Sequence, residues 1–503
     1  MGQSAAVNRS KLYRRNEDLH VAVAFGNETV PKSDIRAAES GTGTSATPVD
    51  PDWLAAALTA LTESHHVPGA QLAVHRGGTT VACEVGELEH GAGRPVTRHS
   101  AFPVGSITKA ATATLVMILV GDGDLELDAP LNEYLPELDE LGAQLTLCHL
   151  LSHTSGFPAS PDIPAAPNMS LGRYVRNHCR RQDLILPPGS AFSYSNRNFV
   201  LVGHLIETIT RMNWSEAVES VLLRPLGIEP AMAGIAGGAR RARPIATGHS
   251  VNTISGRTRP VQQPVVTAEA PAMALAMSAV DLIALGLMHI GSGFPALLPA
   301  VHAEQMRQAI PGVEPFGLAD GWGAGLAVYR SETTTWVGHD GNANGTGCYL
   351  RIDPTNECVV ALTTNANTGS SLWEELRSEL GLPHPTPGWR QNGESLRSRG
   401  TAVEFVGTYA NGPMEFVITA GNDGDLFLDI GGELVARLAF YHDLDFLLQD
   451  PTSGQGHHVG RFLRDPITQQ VEYLQVGGRL APRRCPAVPE ARSSSESVSR
   501  VSA

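Results

Sequence analysis

Phe102-Pro103-Val104-Gly105-Ser106-Ile107-Thr108-Lys109 leads into a continuous run of Ala, Thr, Leu, Val and Met that stops at Gly121-Asp122-Gly123. The run, residues 106–120, lacks a polar face and reads as a helix buried on all sides. Ser106 begins it and Lys109 lies one turn on, a spacing that places two side chains on one face. The hydroxyl then sits near an amine at the positive end of the helix dipole, which favours a developing anion. The bland alternative is that Ser106 is only the N-cap of the helix.

Lysine usage favours the chemical reading. The chain of 503 residues has three lysines, Lys11, Lys32 and Lys109. The first two fall in an N-terminal leader, and elsewhere the cations are arginine or histidine. Arginine cannot give up its proton in a protein, whereas lysine can among suitable neighbours. Position 109 therefore calls for a titratable amine.

Two later stretches complete the constellation. Pro187-Pro188-Gly189-Ser190-Ala191-Phe192-Ser193-Tyr194-Ser195-Asn196 puts a Tyr and an Asn two apart on a punctuated loop before a helix. A phenol beside an ammonium is stabilised as phenolate and serves as a general base; Asn196 could orient Lys109 or hold a substrate amide. Taken singly, such a tyrosine is more often a packed loop tyrosine. Trp336-Val337-Gly338-His339-Asp340-Gly341-Asn342 lies between two strand-like runs. There His339 can present a donor to a substrate carbonyl or carboxylate, and Gly341 lets the substrate backbone approach a sheet edge. A lone His at such a place is otherwise structural.

Working outward, helices are expected over 52–64, 144–152, 197–211, 278–290 and 370–380. Strands are expected over 69–75 and 80–85 (a hairpin across Gly77-Gly78), 324–330, 334–338, 346–352 and 357–364. Strands at both ends with helices between predict an α+β fold, a sheet covered by a helical subdomain. The division is a leader over 1–50, a catalytic domain over 51–381, a linker over 382–400, a β-barrel over 401–485 and a Ser-rich tail over 486–503. In the barrel, turns are expected at Asn422-Asp423-Gly424 and Thr452-Ser453-Gly454.

The formal net charge of −14 excludes nucleic acid as an expected partner, because phosphate binding needs clustered basic residues. Cys83, Cys148, Cys179, Cys348, Cys358 and Cys485 are scattered without a C-x-x-C pair, so free thiols are expected and no metal centre. The only apolar run in residues 1–50, Val21 to Phe25, is too short for a signal peptide or a membrane span, which leads to the expectation of a cytoplasmic protein.

With these motifs in this order, the chain resembles the serine β-lactamase and penicillin-binding-protein superfamily in its class C β-lactamase-like branch, over roughly residues 52–380. Leu145-Thr146-Leu147-Cys148-His149-Leu150-Leu151-Ser152-His153-Thr154-Ser155-Gly156, Pro225-Leu226-Gly227 and Ser278–Leu282 with Asp281 are similar to family landmarks. The resemblance implies an antiparallel sheet flanked by helices, a nucleophile at Ser106, a proton relay through Lys109 and Tyr194, support from Asn196, and an oxyanion hole that includes the Ser106 N–H. It implies no cofactor. His339 stands where β-lactamases have Lys-Thr-Gly, a departure shared with the esterase, D-aminopeptidase and DD-peptidase relatives.

Within the superfamily, Pro68–His75 through Gly121–Leu127, the expected lipocalin-like barrel and the cytoplasmic expectation resemble the penicillin-binding-protein-type thioesterases, stand-alone cyclases of nonribosomal peptides. That resemblance implies a peptidyl group, ending in a D-residue, taken from a carrier-protein thioester and released by its own N-terminal amine. Carrier proteins are usually acidic, so Arg240, Arg241 and Arg243 are the candidate docking patch, against the alternative of a solvated loop. The competing functions are a serine hydrolase with water as acceptor (esterase, D-aminopeptidase, DD-peptidase or weak β-lactamase) and a non-catalytic binding protein on the same scaffold.

Overall fold

In the computed structural model, the residues described are 49–159, 169–234, 243–253, 255–263, 267–290, 294–331, 333–384, 402–421, 424–442, 444–449 and 456–484. The leader's lysines, Arg240, Arg241, Cys485, the linker's proline-rich part, the C-terminal tail, and the turn residues Asn422, Asp423 and Thr452 to Gly454 lie outside them.

The chain opens with α1 (Pro51–Ser64), capped by the Asp50 side chain and buried through Leu54, Leu58 and Leu61. The hairpin β1 (Gly69–Arg76) and β2 (Thr79–Gly86) follows. Its partners return much later: β3 (Gly321–Trp322), β4 (Ala327–Arg330), β5 (Thr335–Ala343), β6 (Thr346–Asp353) and β7 (Cys358–Thr364). They form one antiparallel sheet in the order β2-β1-β7-β6-β5-β4-β3. Chain ends thus meet in the sheet, and the segment between them builds the helical subdomain.

That subdomain is centred on α2 (Ile107–Gly121), whose residues from Ile107 to Leu119 are all buried. It packs on α3 (Asn196–Thr210) and on β5, while α4 (Ala279–Leu287) covers β1, β6 and β7. On the other face of the sheet, α1 and α5 (Gly369–Glu379) enclose a second core around Trp322, Tyr329, Tyr349 and Trp373. α2 has apolar neighbours on every side because it lies between sheet and subdomain, so its sequence shows no stripe.

Residues 407–482 form an eight-stranded antiparallel meander: β8 (Gly407–Asn411), β9 (Met414–Ala420), β10 (Leu426–Ile430), β11 (Glu433–His442), β12 (Asp445–Gln449), β13 (Gly456–Arg464), β14 (Val471–Val476) and β15 (Arg479–Pro482). A bridge between Tyr409 and Arg483 brings the last strand back to the first, leaving a nearly closed barrel. Its interior is filled by Phe405, Phe416, Phe440, Phe446 and Phe462 among others. Eight strands enclose a space that side chains alone can fill.

Candidate active site

Ser106 stands at the N-cap position of α2 with φ −64° and ψ −9°, and its side chain accepts no helix N–H. The N-cap reading is thereby overturned. The hydroxyl instead accepts a hydrogen bond from Lys109 Nζ at 3.0 Å. From Ala101 to Ala110 only Ser106 is half-buried; every other residue is buried. Gly105 turns the chain at φ +50°, and a Cβ there would lie 2.3 Å from the Asn342 carbonyl oxygen, so the loop is seated directly on β5.

Lys109 is fully buried. Its amine donates to Ala272 O at 3.1 Å and lies 5.0 Å from the centre of the Tyr194 ring. The Ala272 carbonyl, which nothing in the sequence singles out, therefore shares the work of orienting the amine.

Tyr194 ends the Pro/Gly-rich loop before α3, and its phenol hydrogen-bonds Ser106. Burial pushes this phenol well above the usual tyrosine range, offset only in part by the Ser106 bond and the nearby Arg479 charge. The resting group is a neutral phenol rather than the expected phenolate, because desolvation of the anion outweighs the nearby positive charge. Asn196, the first residue of α3, is buried, and its backbone N–H donates to Ala159 O at 2.8 Å.

His339 and Gly341 lie at an open edge, because β4 pairs with β5 only as far as Gly338. They sit inside β5, paired with Leu350 and Cys348 of β6. The strand runs five residues past the expected end, because His, Asp, Gly and Asn read as a turn although the face of His339 and Gly341 is buried. A Cβ on Gly341 would lie 1.9 Å from Val104 O and 2.9 Å from Ile107 N. This glycine admits the backbone of the Ser106 loop, so the space assigned to a substrate is already occupied by the protein.

His339, two residues back on the same face, is buried, 6.2 Å from the Tyr194 ring and 5.4 Å from that of Trp322. Its Nδ1 is 2.6 Å from Asp340 O. A carbonyl only accepts, so Nδ1 carries the proton and Nε2 a lone pair. The expectation of a donor is reversed: the ring offers the site an acceptor. Burial, and then the Lys109 charge, push the imidazole down to about 4, which keeps it neutral.

Several neighbours were not legible in the sequence. His153, from the Leu145–Gly156 landmark, stacks on Tyr194 at 4.3 Å, and its Nδ1 accepts the Ser195 N–H at 3.1 Å. Burial, reinforced by Lys109, His339 and Arg479, holds it well below the ordinary histidine range. The barrel also reaches the site. Tyr194 N–H donates to Gly478 O at 2.9 Å, and the Arg479 guanidinium is 5.9 Å from the Tyr194 ring. Asn411 of β8 accepts from Ala159 N–H at 2.6 Å and donates to Ser193 Oγ at 3.0 Å. These links join positions more than two hundred residues apart, and no local pattern encodes them.

β4 pairs with β5 only as far as Gly338, so among the described residues His339 to Ala343 pair on one side, with β6. That leaves backbone of β5 beside Ser106 that an extended peptide can use. Arg243 belongs elsewhere: it is buried and ion-paired at 2.5 Å with Asp281, which also caps α4 through the Ser278 N–H. Neither a docking patch nor a solvated loop describes it. Cys83, Cys148, Cys179, Cys348 and Cys358 are free thiols. Among the described residues no group of His, Cys, Asp or Glu could hold a metal ion, and no helix is long and apolar enough to cross a membrane.

The β-lactamase family model matches residues 54–379, the whole sheet-and-helix unit that carries these groups. The chain belongs to the β-lactamase family. This family of serine hydrolases places the protein among enzymes. Penicillin-binding protein 4 of Amycolatopsis lactamdurans is 33% identical over 334 residues, 64% of this chain and 87% of that protein. Unguisins hydrolase ungD' of Aspergillus campestris is 27% identical over 353 residues, 65% of this chain and 64% of its own length. Among solved structures, SurE is 38% identical with a TM-score of 0.75, covering 86% of this chain and 99% of that one. A second SurE structure, with D-Leu, is 37% identical with a TM-score of 0.74. The SurE likeness extends beyond the family match into the C-terminal barrel.

Proposed function

We propose that this β-lactamase-family protein is an acyltransferase that takes a peptidyl group from a carrier-bound thioester onto Ser106 and releases it by head-to-tail cyclisation. The observation that carries the acyl-transfer part is the contact of one half-buried hydroxyl with both a buried lysine amine and a buried phenol. In the first half-reaction, Ser106 Oγ attacks the thioester carbonyl while its proton passes by way of the Tyr194 phenol to Lys109, which takes part as the free amine. The C–S bond breaks, the proton leaves with the thiol, and an ester on Ser106 remains. Because the phenol is held protonated at rest, Tyr194 acts as a conduit between Oγ and the amine rather than as a standing base. The amide of Ser106 at the head of α2 would supply one donor to the oxyanion.

The peptidyl, D-configured substrate is supported by the one-sided backbone of β5 beside the nucleophile and by the likeness to SurE, whose structure has been solved with D-Leu. Amine attack is supported by the barrel, which is tied to the Tyr194 loop and lies within the span that is similar to SurE. The proposed setting is cytoplasmic, with the peptide delivered by a carrier protein. The test is incubation with linear N-acetylcysteamine thioesters ending in a D-residue. A cyclic product is expected; hydrolysis alone across several such peptides would refute cyclisation. The relation to unguisins hydrolase favours a second reading, transfer of the same acyl group to water. Rapid turnover of short esters or D-amino-acid amides with no cyclic product would select it. An unlabelled Ser106 after fluorophosphonate treatment would instead point to a non-catalytic binding protein.

A further inference from the structure

Two imidazoles flank the Tyr194 ring, and the hydrogen bonds fix them in opposite tautomers. His153 accepts at Nδ1 from the Ser195 N–H, so its Nε2 bears a proton. His339 donates from Nδ1 to Asp340 O, so its Nε2 bears a lone pair. Both Nε2 atoms are buried with no hydrogen-bond partner. A buried acceptor left open in this way is unfavourable, so its persistence beside Ser106 calls for a donor from the substrate.

Strand geometry shows where that donor comes from. His339 projects from the same face of β5 as Gly341, and Gly341 touches Val104 O and Ile107 N on either side of Ser106. The ring is thereby aimed at the space beside Ser106, with Tyr194 and Trp322 closing its flanks. During acylation, the thiol leaving group has no N–H to offer. During release by an amine, the nucleophile brings two. One must pass its proton to the Lys109–Tyr194 pair, and the other must be accepted without proton transfer if the amine lone pair is to point at the ester carbon.

We propose that His339 Nε2 is the acceptor that orients the attacking amine in the second half-reaction. This inference rests on the acyl-transfer reading above and assigns His339 to the nucleophile rather than to the acyl group. The N–C bond forms as the carbonyl electrons move to oxygen. As the intermediate collapses, the C–Oγ bond breaks, one amine proton travels through the Lys109–Tyr194 pair to Ser106 Oγ, and an amide leaves. His339 stays uncharged throughout, since its burial holds it neutral at working pH. Water can attack through either of two lone pairs and depends less on one acceptor for its orientation, so His339 biases the outcome toward aminolysis.

The test uses the full chain with a D-residue-terminated N-acetylcysteamine peptidyl thioester, reading the ratio of cyclic to linear product by mass spectrometry. His339→Leu removes the acceptor, His339→Asn keeps a polar side chain too short to place an oxygen at the Nε2 position, and His339→Gln reaches that position with its amide oxygen. The ratio is expected to fall about tenfold in the Leu and Asn variants, the worth of one oriented hydrogen bond. In the Gln variant it is expected to stay within about threefold of wild type. Should the Leu variant fail to fold, the Asn and Gln pair carries the comparison. A ratio equal to wild type in Leu and Asn, with both products reduced alike, would place His339 on the acyl group and overturn the inference. So would a Gln variant as poor as Asn. A wild-type enzyme that yields only linear acid refutes the cyclase reading and this inference with it, whereas cyclisation insensitive to His339 refutes the inference alone.

Discussion

Replacing Gly341 with alanine tests whether the Ser106 loop is positioned by β5. The added Cβ would lie 1.9 Å from Val104 O, and real Cβ atoms do not approach closer than 3.0 Å. Both partners are backbone, one in a sheet and one at the head of a buried helix, so no flexible side chain can yield. Relief therefore requires the nucleophile loop to move by about 1 Å, a misplacement that costs on the order of a hundredfold in rate. Gly338→Ala supplies the control. Its Cβ also lies 1.9 Å from a carbonyl, that of Leu350, but on the opposite face of the same strand, away from Ser106. Both variants should lose about 1–3 kcal/mol of stability by overpacking. Single-turnover release of thiol from a peptidyl thioester, measured with enzyme in excess, should fall about a hundredfold in Gly341→Ala and less than about tenfold in Gly338→Ala. Thermal melts of both check that the stability losses match. Parallel rate losses in the two variants, or a wild-type rate in Gly341→Ala, would refute the argument.

Lys109→Arg cannot supply a base, since a guanidinium holds its proton; phosphonylation of Ser106 by a fluorophosphonate probe, with loss of fluoride, should slow by about a thousandfold. A near-normal labelling rate would contradict proton transfer at position 109. Asn411→Ala leaves the Ala159 N–H without its barrel partner and removes one of the two barrel donors to the Ser193 hydroxyl, the other being the Leu480 N–H. It should cost about 2–4 kcal/mol in urea unfolding and lower the rate of the remaining folded enzyme by loosening Tyr194; a fully active, equally stable variant would contradict that role. Arg479→Gln removes a fixed cation beside the phenol and should lower acylation about ten- to hundredfold, with Arg479→Lys retaining more activity; equal rates in all three proteins would remove Arg479 from the site. Acid should destabilise the fold early. Burial pushes His289 down to about 3 and His339 to about 4, so below pH 6.5 the unfolded chain binds protons that the folded chain refuses. Each then removes about 1.4 kcal/mol per pH unit until its folded value is reached. Urea midpoints that stay flat from pH 7 to pH 4.5 would contradict the burial of neutral imidazoles.

The parts of the fold that were legible in the sequence are those encoded over a few residues. The unpunctuated apolar run after Ser106 could only be a buried helix, and the Ser106–Lys109 contact follows from one helical turn. The hairpin at Gly77-Gly78 and the strands over 346–352 and 357–364 follow from alternation and turn chemistry. Reading failed where tertiary packing reverses a local preference. His339-Asp340-Gly341-Asn342 has turn composition, yet it continues β5 because Gly341 must meet the Ser106 loop. Arg243 reads as one of a surface cluster, yet Asp281, far along the chain, buries it. The state of Tyr194 was misjudged because proximity to a cation is visible from motif order, whereas desolvation depends on what encloses the phenol.

The enclosure changes the electrostatic logic of the site. Lys109, His153, His339 and Arg479 all face the same phenol, yet they are not equivalent charges. The two imidazoles are kept neutral by burial, so they contribute hydrogen-bond direction without repelling the amine. In the proposed reaction Lys109 is the group whose proton moves, and its charge therefore varies from step to step. Arg479 cannot change its charge at all. A fixed cation next to a moving proton keeps the pocket positive at every stage, including the stage at which the intermediate is an oxyanion. In a chain with a formal charge of −14, that local field has to be built by a specific contact. It comes from the barrel, through the Gly478 carbonyl that holds Tyr194 and the arginine that follows it. In the proposed reaction the barrel would act at its rim, through these two residues, rather than through its packed interior.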